Sequence, residues 1–144
     1  DDSRSGILVV DDDELVRRGL SAMLGSRYEV RLAASARAGL DAMGADIDAV
    51  ILDVKMAGQD GFWLCQQINR RFPDVPVIFY SAYHDVKNPY DIINELHPFG
   101  YVVKDGSSRK ILDLVDAAVQ VGRRRREQAR LLESLRRGPR STRP

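Results

Sequence analysis

Apolar residues fall into short continuous runs separated by amphipathic segments, and the alternation is regular. Gly6-Ile7-Leu8-Val9-Val10 is rich in β-branched residues, the pattern of a strand covered on both faces. It stops at Asp11-Asp12-Asp13. From Glu14, the positions Leu15, Leu20, Met23 and Leu24 recur among arginines. They predict a core-facing helix capped by one of the aspartates and ended near Gly25. The rhythm then repeats. A strand is predicted from Tyr28 to Ala33, a helix from Ser35 to Met43, a strand from Ala49 to Leu52 and a helix from Gly61 to Phe72. Pro76 to Tyr80 predicts a fourth strand, Pro89 to Leu96 a short helix, Gly100 to Val103 a fifth strand, and Ser108 onward a last helix capped by Ser107 or Ser108. The stretch from Asp85 to Phe99, with Pro89 and Pro98, has the least amphipathic regularity.

Five apolar strands alternating with five helices in about 120 residues specify a parallel sheet covered on both faces and joined by right-handed crossovers. In such sheets ligands bind beyond the carboxyl ends of the strands. The residues that end the predicted strands are Asp11 and Asp12, Asp53, Ser81 and Lys104. The side chains capable of chemistry therefore fall on one edge.

Composition adds limits. A chain of 144 residues, 44% of them hydrophobic, holds one ordinary core plus an appendage. A single cysteine, Cys65, excludes an intramolecular disulfide, and two histidines exclude a Cys/His zinc cluster. No apolar stretch approaches the roughly 18 residues of a membrane span, so a soluble protein is expected. The start lacks both a secretory signal and a Met and reads as a segment cut from a longer protein; a cytoplasmic location is expected.

The net charge of +1 hides an asymmetry. Residues 1–121 hold 13 Lys and Arg against 19 Asp and Glu, whereas residues 122–144 hold nine Arg against two Glu. A boundary is placed there: a body over 5–121 and a basic helical extension or linker over 122–144 with a disordered end. Leu114, Ala118, Val121, Arg125, Gln128, Leu132 and Leu135 follow a 4-3 spacing, but Arg125 and Gln128 interrupt the seam. A weak coiled coil, a dimer through this helix, or a helix leading to an output domain all fit. Arg123 to Arg126 read first as a solvated linker. The tail has no aromatic residue to stack bases and no folded DNA-binding motif, so nucleic acid is not an expected partner.

Three carboxylates at one edge repel unless something positive lies between them. A hard divalent cation such as Mg²⁺ suits Asp11, Asp12 and Asp53 and leaves room for phosphate oxygens, with Lys104 nearby. Asp53, at the end of the central strand, is the candidate nucleophile, because carboxylates accept phosphoryl groups covalently.

The chain resembles the receiver domains of two-component response regulators over about residues 5–121. The resemblance rests on Ile7 to Asp13, on Val50 to Met56 followed by Asp60-Gly61, on Val77 to Ala82, and on Gly100 to Lys104. It implies a doubly wound sheet of strand order 2-1-3-4-5. It further implies that Asp53 is the phosphoacceptor, and that Asp12, Asp53 and the backbone carbonyl of Lys55 hold Mg²⁺, with Asp11 acting through a metal-bound water. Ser81 and Lys104 would bind phosphoryl oxygens, and Ala82 would leave the group space. Tyr101 would be the aromatic switch that turns inward as Ser81 moves.

A histidine kinase or phosphotransfer protein would be the donor. An output domain or partner protein would meet the face made by the fourth strand, the helix after it and the fifth strand. Lys55 and Tyr83 would flank the attacking water and slow self-hydrolysis. The protein would not be a conventional enzyme, only assisting its own phosphorylation and dephosphorylation. Two positions depart from the family: Ala57 follows Met56 where Pro is usual, and Asp105 follows Lys104 where Pro is usual. The second bears on the loop that places Lys104.

Plainer roles stand beside these. Taken singly, Asp11 to Asp13 make a solvated turn and helix cap, Lys104 a surface cation, Ser81 a strand-end hydroxyl and Tyr101 a half-buried strand aromatic. Their joint placement favours the site. His84 and His97 read as surface or loop residues, and Cys65, Phe62 and Trp63 as packing. An aspartyl-phosphate hydrolase wants a carboxylate where Lys55 stands, and a flavin module wants a Gly/Ser/Thr-rich loop after the first strand. The remaining alternative is a receiver-like interaction module that is never phosphorylated.

Overall fold

The computed structural model of the chain describes residues 4–82 and 94–138. Strands β1 (Gly6–Val10), β2 (Glu29–Ala33), β3 (Ile47–Leu52), β4 (Val77–Ser81) and β5 (Gly100–Val103) form one sheet in the order β2-β1-β3-β4-β5. Every pairing is parallel. Among the described residues the helices are α1 (Glu14–Leu24), α2 (Ala36–Ala42), α3 (Gly61–Arg71) and α4 (Ser108–Arg137). The short helix expected from Pro89 lies mostly outside the described residues, as do His84 and Tyr83; residues 94–96 form a helical turn.

Alternation along the strands divides the core. Leu8, Val10, Val50, Leu52 and Phe79 pack with Leu40 of α2 and with Leu64, Cys65 and Ile68 of α3. Ile7, Val9, Ala49, Ile51, Ile78 and Val102 pack on the other face with Leu20 and Leu24 of α1 and with Ile111, Val115, Ala118 and Val119 of α4. Burial on both faces is why β1 and residues 49–52 of β3 read as unbroken apolar runs. Cys65 sits in the first cluster, where burial pushes its thiol up to about 12.

The helix ends follow local chemistry. Asp13 caps α1 by accepting from the Leu15 amide at 2.9 Å, Ser35 caps α2 through Ala38, and Asp60 caps α3 through Trp63. Leu15 corrects the reading of α1: it is 77% exposed. The buried stripe runs through Val16, Leu20, Met23 and Leu24, and Leu15, one residue before Val16, stands about 100° off it.

Helix α4 lays Ile111, Val115, Ala118, Val119 and Gly122 against the sheet. Of the residues at 4-3 spacing, Ala118 is buried in this face and Leu114 packs beside it, whereas Leu132 and Leu135 are exposed. The four arginines depart from expectation, because they are not all solvated. Arg123 donates to Ser5 Oγ at 3.0 Å, and Arg126 reaches the Ala45 carbonyl and the buried carboxylate of Asp48. Asp48 also accepts from the Gly6 amide at 3.2 Å. Packing against the body thus continues through Arg126, past the point where the composition changes. Beyond it Leu131, Leu132 and Leu135 are exposed.

Gly122 marks a close approach. A Cβ there would lie 2.5 Å from the Asp48 carbonyl oxygen and 2.9 Å from Pro76 Cδ. Lower down, Asp116 takes hydrogen bonds from Arg27 and from the Tyr28 hydroxyl, joining α4 to the entry of β2. Burial and the Asp116 hydrogen bond push the Tyr28 phenol up to about 12.

Two outcomes are expected. Gly122→Ala should destabilise the fold by about 1–3 kcal/mol through overpacking, although helix propensity alone favours Ala by about 1 kcal/mol; a raised thermal midpoint would contradict the close contact. The Tyr28 contribution should be fully present below its ordinary value of 10.0 and lost as pH rises through about 12, because the unfolded chain gives up the phenol proton first. Urea unfolding across that range should show a shallower loss for Tyr28→Phe than for the parent.

Candidate functional site

The carboxyl ends of β1, β3, β4 and β5 lie side by side, and each delivers a polar residue. The Asp53 amide donates to the Val10 carbonyl at 3.0 Å and the Asp11 amide to the Ala33 carbonyl at 3.1 Å, so the parallel ladder runs one residue past each strand into the site. At the far side the Lys104 amide donates to the Ser81 carbonyl at 2.8 Å. Backbone pairing, rather than loop folding, fixes where these side chains start.

Asp11 and Asp53 are 2% and 5% exposed, and Asp12 is exposed. One oxygen from each of the three lies within 4.8 Å of the others. Burying two carboxylates this close requires a cation or hydrogen-bond donors. Lys104 Nζ supplies the charge, 2.8 Å from Asp11 Oδ2 and 3.6 Å from Asp53 Oδ2. Ser81, fully buried, donates its hydroxyl to Asp53 Oδ1 at 3.1 Å. Asp11 Oδ1 accepts from the Asp13 amide at 2.9 Å, and Arg17 donates to the Asp11 carbonyl at 2.7 Å. Burial works against the Lys104 ammonium, but the hydrogen bond and charge of Asp11, with Asp53, outweigh it and hold its pKa above the ordinary lysine value.

Asp60-Gly61 closes the other side. The Gly61 amide donates to the Val54 carbonyl at 2.8 Å, and a Cβ at Gly61 would fall 2.0 Å from the Asp53 carbonyl oxygen. Only glycine lets α3 begin so close to Asp53. Asp105, standing where Pro is usual, builds its own turn: its carboxylate accepts from the Ser107 amide at 2.9 Å and pairs with Lys110 at 3.3 Å. With that turn in place Lys104 still reaches Asp11 and Asp53.

The structure brings together Asp11, Asp12, Asp53, Ser81 and Lys104 as their placement at the strand ends predicts. Tyr101 is half-buried, its ring 6.2 Å from that of Phe79. Lys55 is exposed, and Tyr83 lies outside the described residues. Arg17 and Tyr80 were not legible as neighbours of the site. Tyr80 precedes Ser81, and Lys104 Nζ lies 5.8 Å from its ring centroid. Alternation puts Tyr80 and Ser81 on opposite faces, and only the pairing of Tyr80 with Val102 relates Tyr80 to Lys104. Among the described residues no helix is long and apolar enough to cross a membrane.

Comparison with known proteins agrees with this geometry. The response regulator receiver domain family matches residues 7–116. The transcriptional regulatory protein TdiR of Thauera aromatica is 34% identical over 121 residues, covering 83% of this chain and 53% of that protein. The DNA-binding transcriptional activator DevR/DosR of Mycobacterium tuberculosis is 33% identical over 120 residues, covering 81% of this chain and 54% of that protein. The chain thus spans about half the length of these relatives. Among solved structures, the response regulator TrrA of Thermotoga maritima, in complex with Mg²⁺ and BeF, is 27% identical with a TM-score of 0.69, covering 79% of this chain and 98% of that one. The response regulator StyR shares the fold with a TM-score of 0.83 at 24% identity, covering 93% of this chain and 68% of that one. With its strand order, its acidic edge and a family match over most of its length, the chain belongs to the response regulator receiver domains of two-component signal transduction.

Proposed function

We propose that the chain accepts a phosphoryl group on Asp53 in a Mg²⁺-dependent reaction, from the phosphohistidine of a kinase or phosphotransfer protein. The observation that carries this reading is the pair of contacts on the Asp53 carboxylate, from Ser81 Oγ at 3.1 Å and Lys104 Nζ at 3.6 Å. A carboxylate oxygen of Asp53 attacks phosphorus, the P–N bond breaks, and its electron pair leaves with the imidazole. Lys104 and Ser81 are then placed to take phosphoryl oxygens, as cation and as hydroxyl donor.

Mg²⁺ fits the donor set, three carboxylates with oxygens within 4.8 Å. Asp12 and Asp53, with the Lys55 carbonyl, would hold it, and Asp11 would act through a bound water. When bound, the ion neutralises charge on the phosphoryl oxygens. The chemistry alters the protein itself, which is the sense in which it is not a conventional enzyme.

Moving Ser81 and Lys104 toward a phosphoryl group shifts the population of a two-state face that includes Tyr101. An output domain or a partner protein would read that face, and a second copy would meet the chain through α4. The body, 5–121, is the switch, and residues 122–144 are its extension. Lys55, with Tyr83, would hinder the attacking water and prolong the phosphorylated state.

Intact mass after incubation with Mg²⁺ and acetyl phosphate should rise by one phosphoryl group in the parent and not in Asp53→Asn. No gain in a folded parent, with beryllofluoride also failing to bind, would support a phosphorylation-independent interaction module. Lys55→Asn combined with Tyr83→Glu should shorten the life of the phosphorylated form several-fold in the same assay. An unchanged decay would remove the hindrance idea.

A further inference from the structure

We propose that Tyr80 is a positioning residue for Lys104, an aromatic floor that aims its ammonium at the two carboxylates; the role rests on the phosphotransfer reading above. In the strand order β3 and β4 lie between β1 and β5, so Lys104 must send its charge across the ends of two strands to meet Asp11. A lysine stem has four rotatable carbons and a strongly hydrated head. Left unguided, it swings toward water.

The register provides the guide. Tyr80 lies directly opposite Val102 in the β4–β5 ladder, and both pack on the face covered by α1 and α4. Lys104, two residues beyond Val102, leaves the backbone on that same side. The result is an ammonium 5.8 Å from the Tyr80 ring centroid, inside the roughly 6 Å range of a cation–π contact. Only 20% of the Lys104 side chain is exposed. The residue after it offers no competing guidance, because the Asp105 carboxylate is committed to the Ser107 amide and Lys110. Ring and carboxylates therefore hold the charge from two sides.

The ring, not the hydroxyl, is the active feature, which separates the proposal from simple packing. In the full chain, the Lys104 ε-methylene protons should show an upfield ring-current shift by NMR in the parent and in Tyr80→Phe. The shift should vanish in Tyr80→Leu and in Tyr80→Met, the second kept in case the first fails to fold. With acetyl phosphate near saturation, phosphorylation should slow about two- to fivefold in the Leu and Met variants, as expected for one partly exposed cation–π contact. Tyr80→Phe should restore the parent rate. Absence of the shift in the parent, or a folded Leu or Met variant that is phosphorylated at the parent rate, overturns the proposal. If the shift pattern holds while the parent gains no phosphoryl group, the phosphotransfer reading fails and the placement of Lys104 by Tyr80 stands.

Discussion

A single ammonium group shared by two buried carboxylates is the constraint around which this molecule is arranged. Asp11 and Asp53 sit at the ends of adjacent strands and are almost wholly covered, a juxtaposition that like charges resist. Lys104 makes it tenable by reaching both. For that to happen the β1–β3 and β4–β5 ladders must each run one residue into the site, and the sheet must be clamped on both faces so the register cannot slip. The two hydrophobic clusters are, in this sense, the support for one ion pair. The same crowding makes the edge responsive, since a new negative group on Asp53 would compete with Asp11 for Lys104.

Much of this was legible because the relevant signals are local. An unbroken β-branched run, followed at once by aspartates, marks a doubly covered strand and the residue at its carboxyl end. That reasoning located Asp11, Asp12, Asp53, Ser81 and Lys104 together. Capping by Asp13, Ser35 and Asp60 is equally local, because the acceptor lies two or three residues from its donor. The match of the family to residues 7–116 covers the same ground.

What escaped the sequence depends on partners far along the chain. A run of four arginines reads as solvated until Asp48 is brought beneath Arg126 by the crossover. Nothing local to Gly122 shows its closeness to the Asp48 carbonyl, which lies far back along the chain. Leu15 differs for the opposite reason: a periodic pattern tolerates a residue one position off the stripe, whereas packing leaves it exposed. Tyr80 was overlooked because its role needs the register of β4 against β5, which no single segment contains. Asp105 raised a question about its loop that only the turn it forms with Ser107 could answer.

The course of α4 has a mechanical consequence. It begins just after Lys104 at one edge of the sheet and is fastened to the opposite edge through Asp116, Gly122, Arg123 and Arg126. From there residues 127–137 project freely by about 16 Å, at 1.5 Å per residue. A helix anchored along nearly two-thirds of its length and exposed along the rest is a cantilever. A tilt of only about 4° about Arg126 would move its tip by about 1 Å, so the direction in which the tip points is set by how the anchored part sits on the sheet.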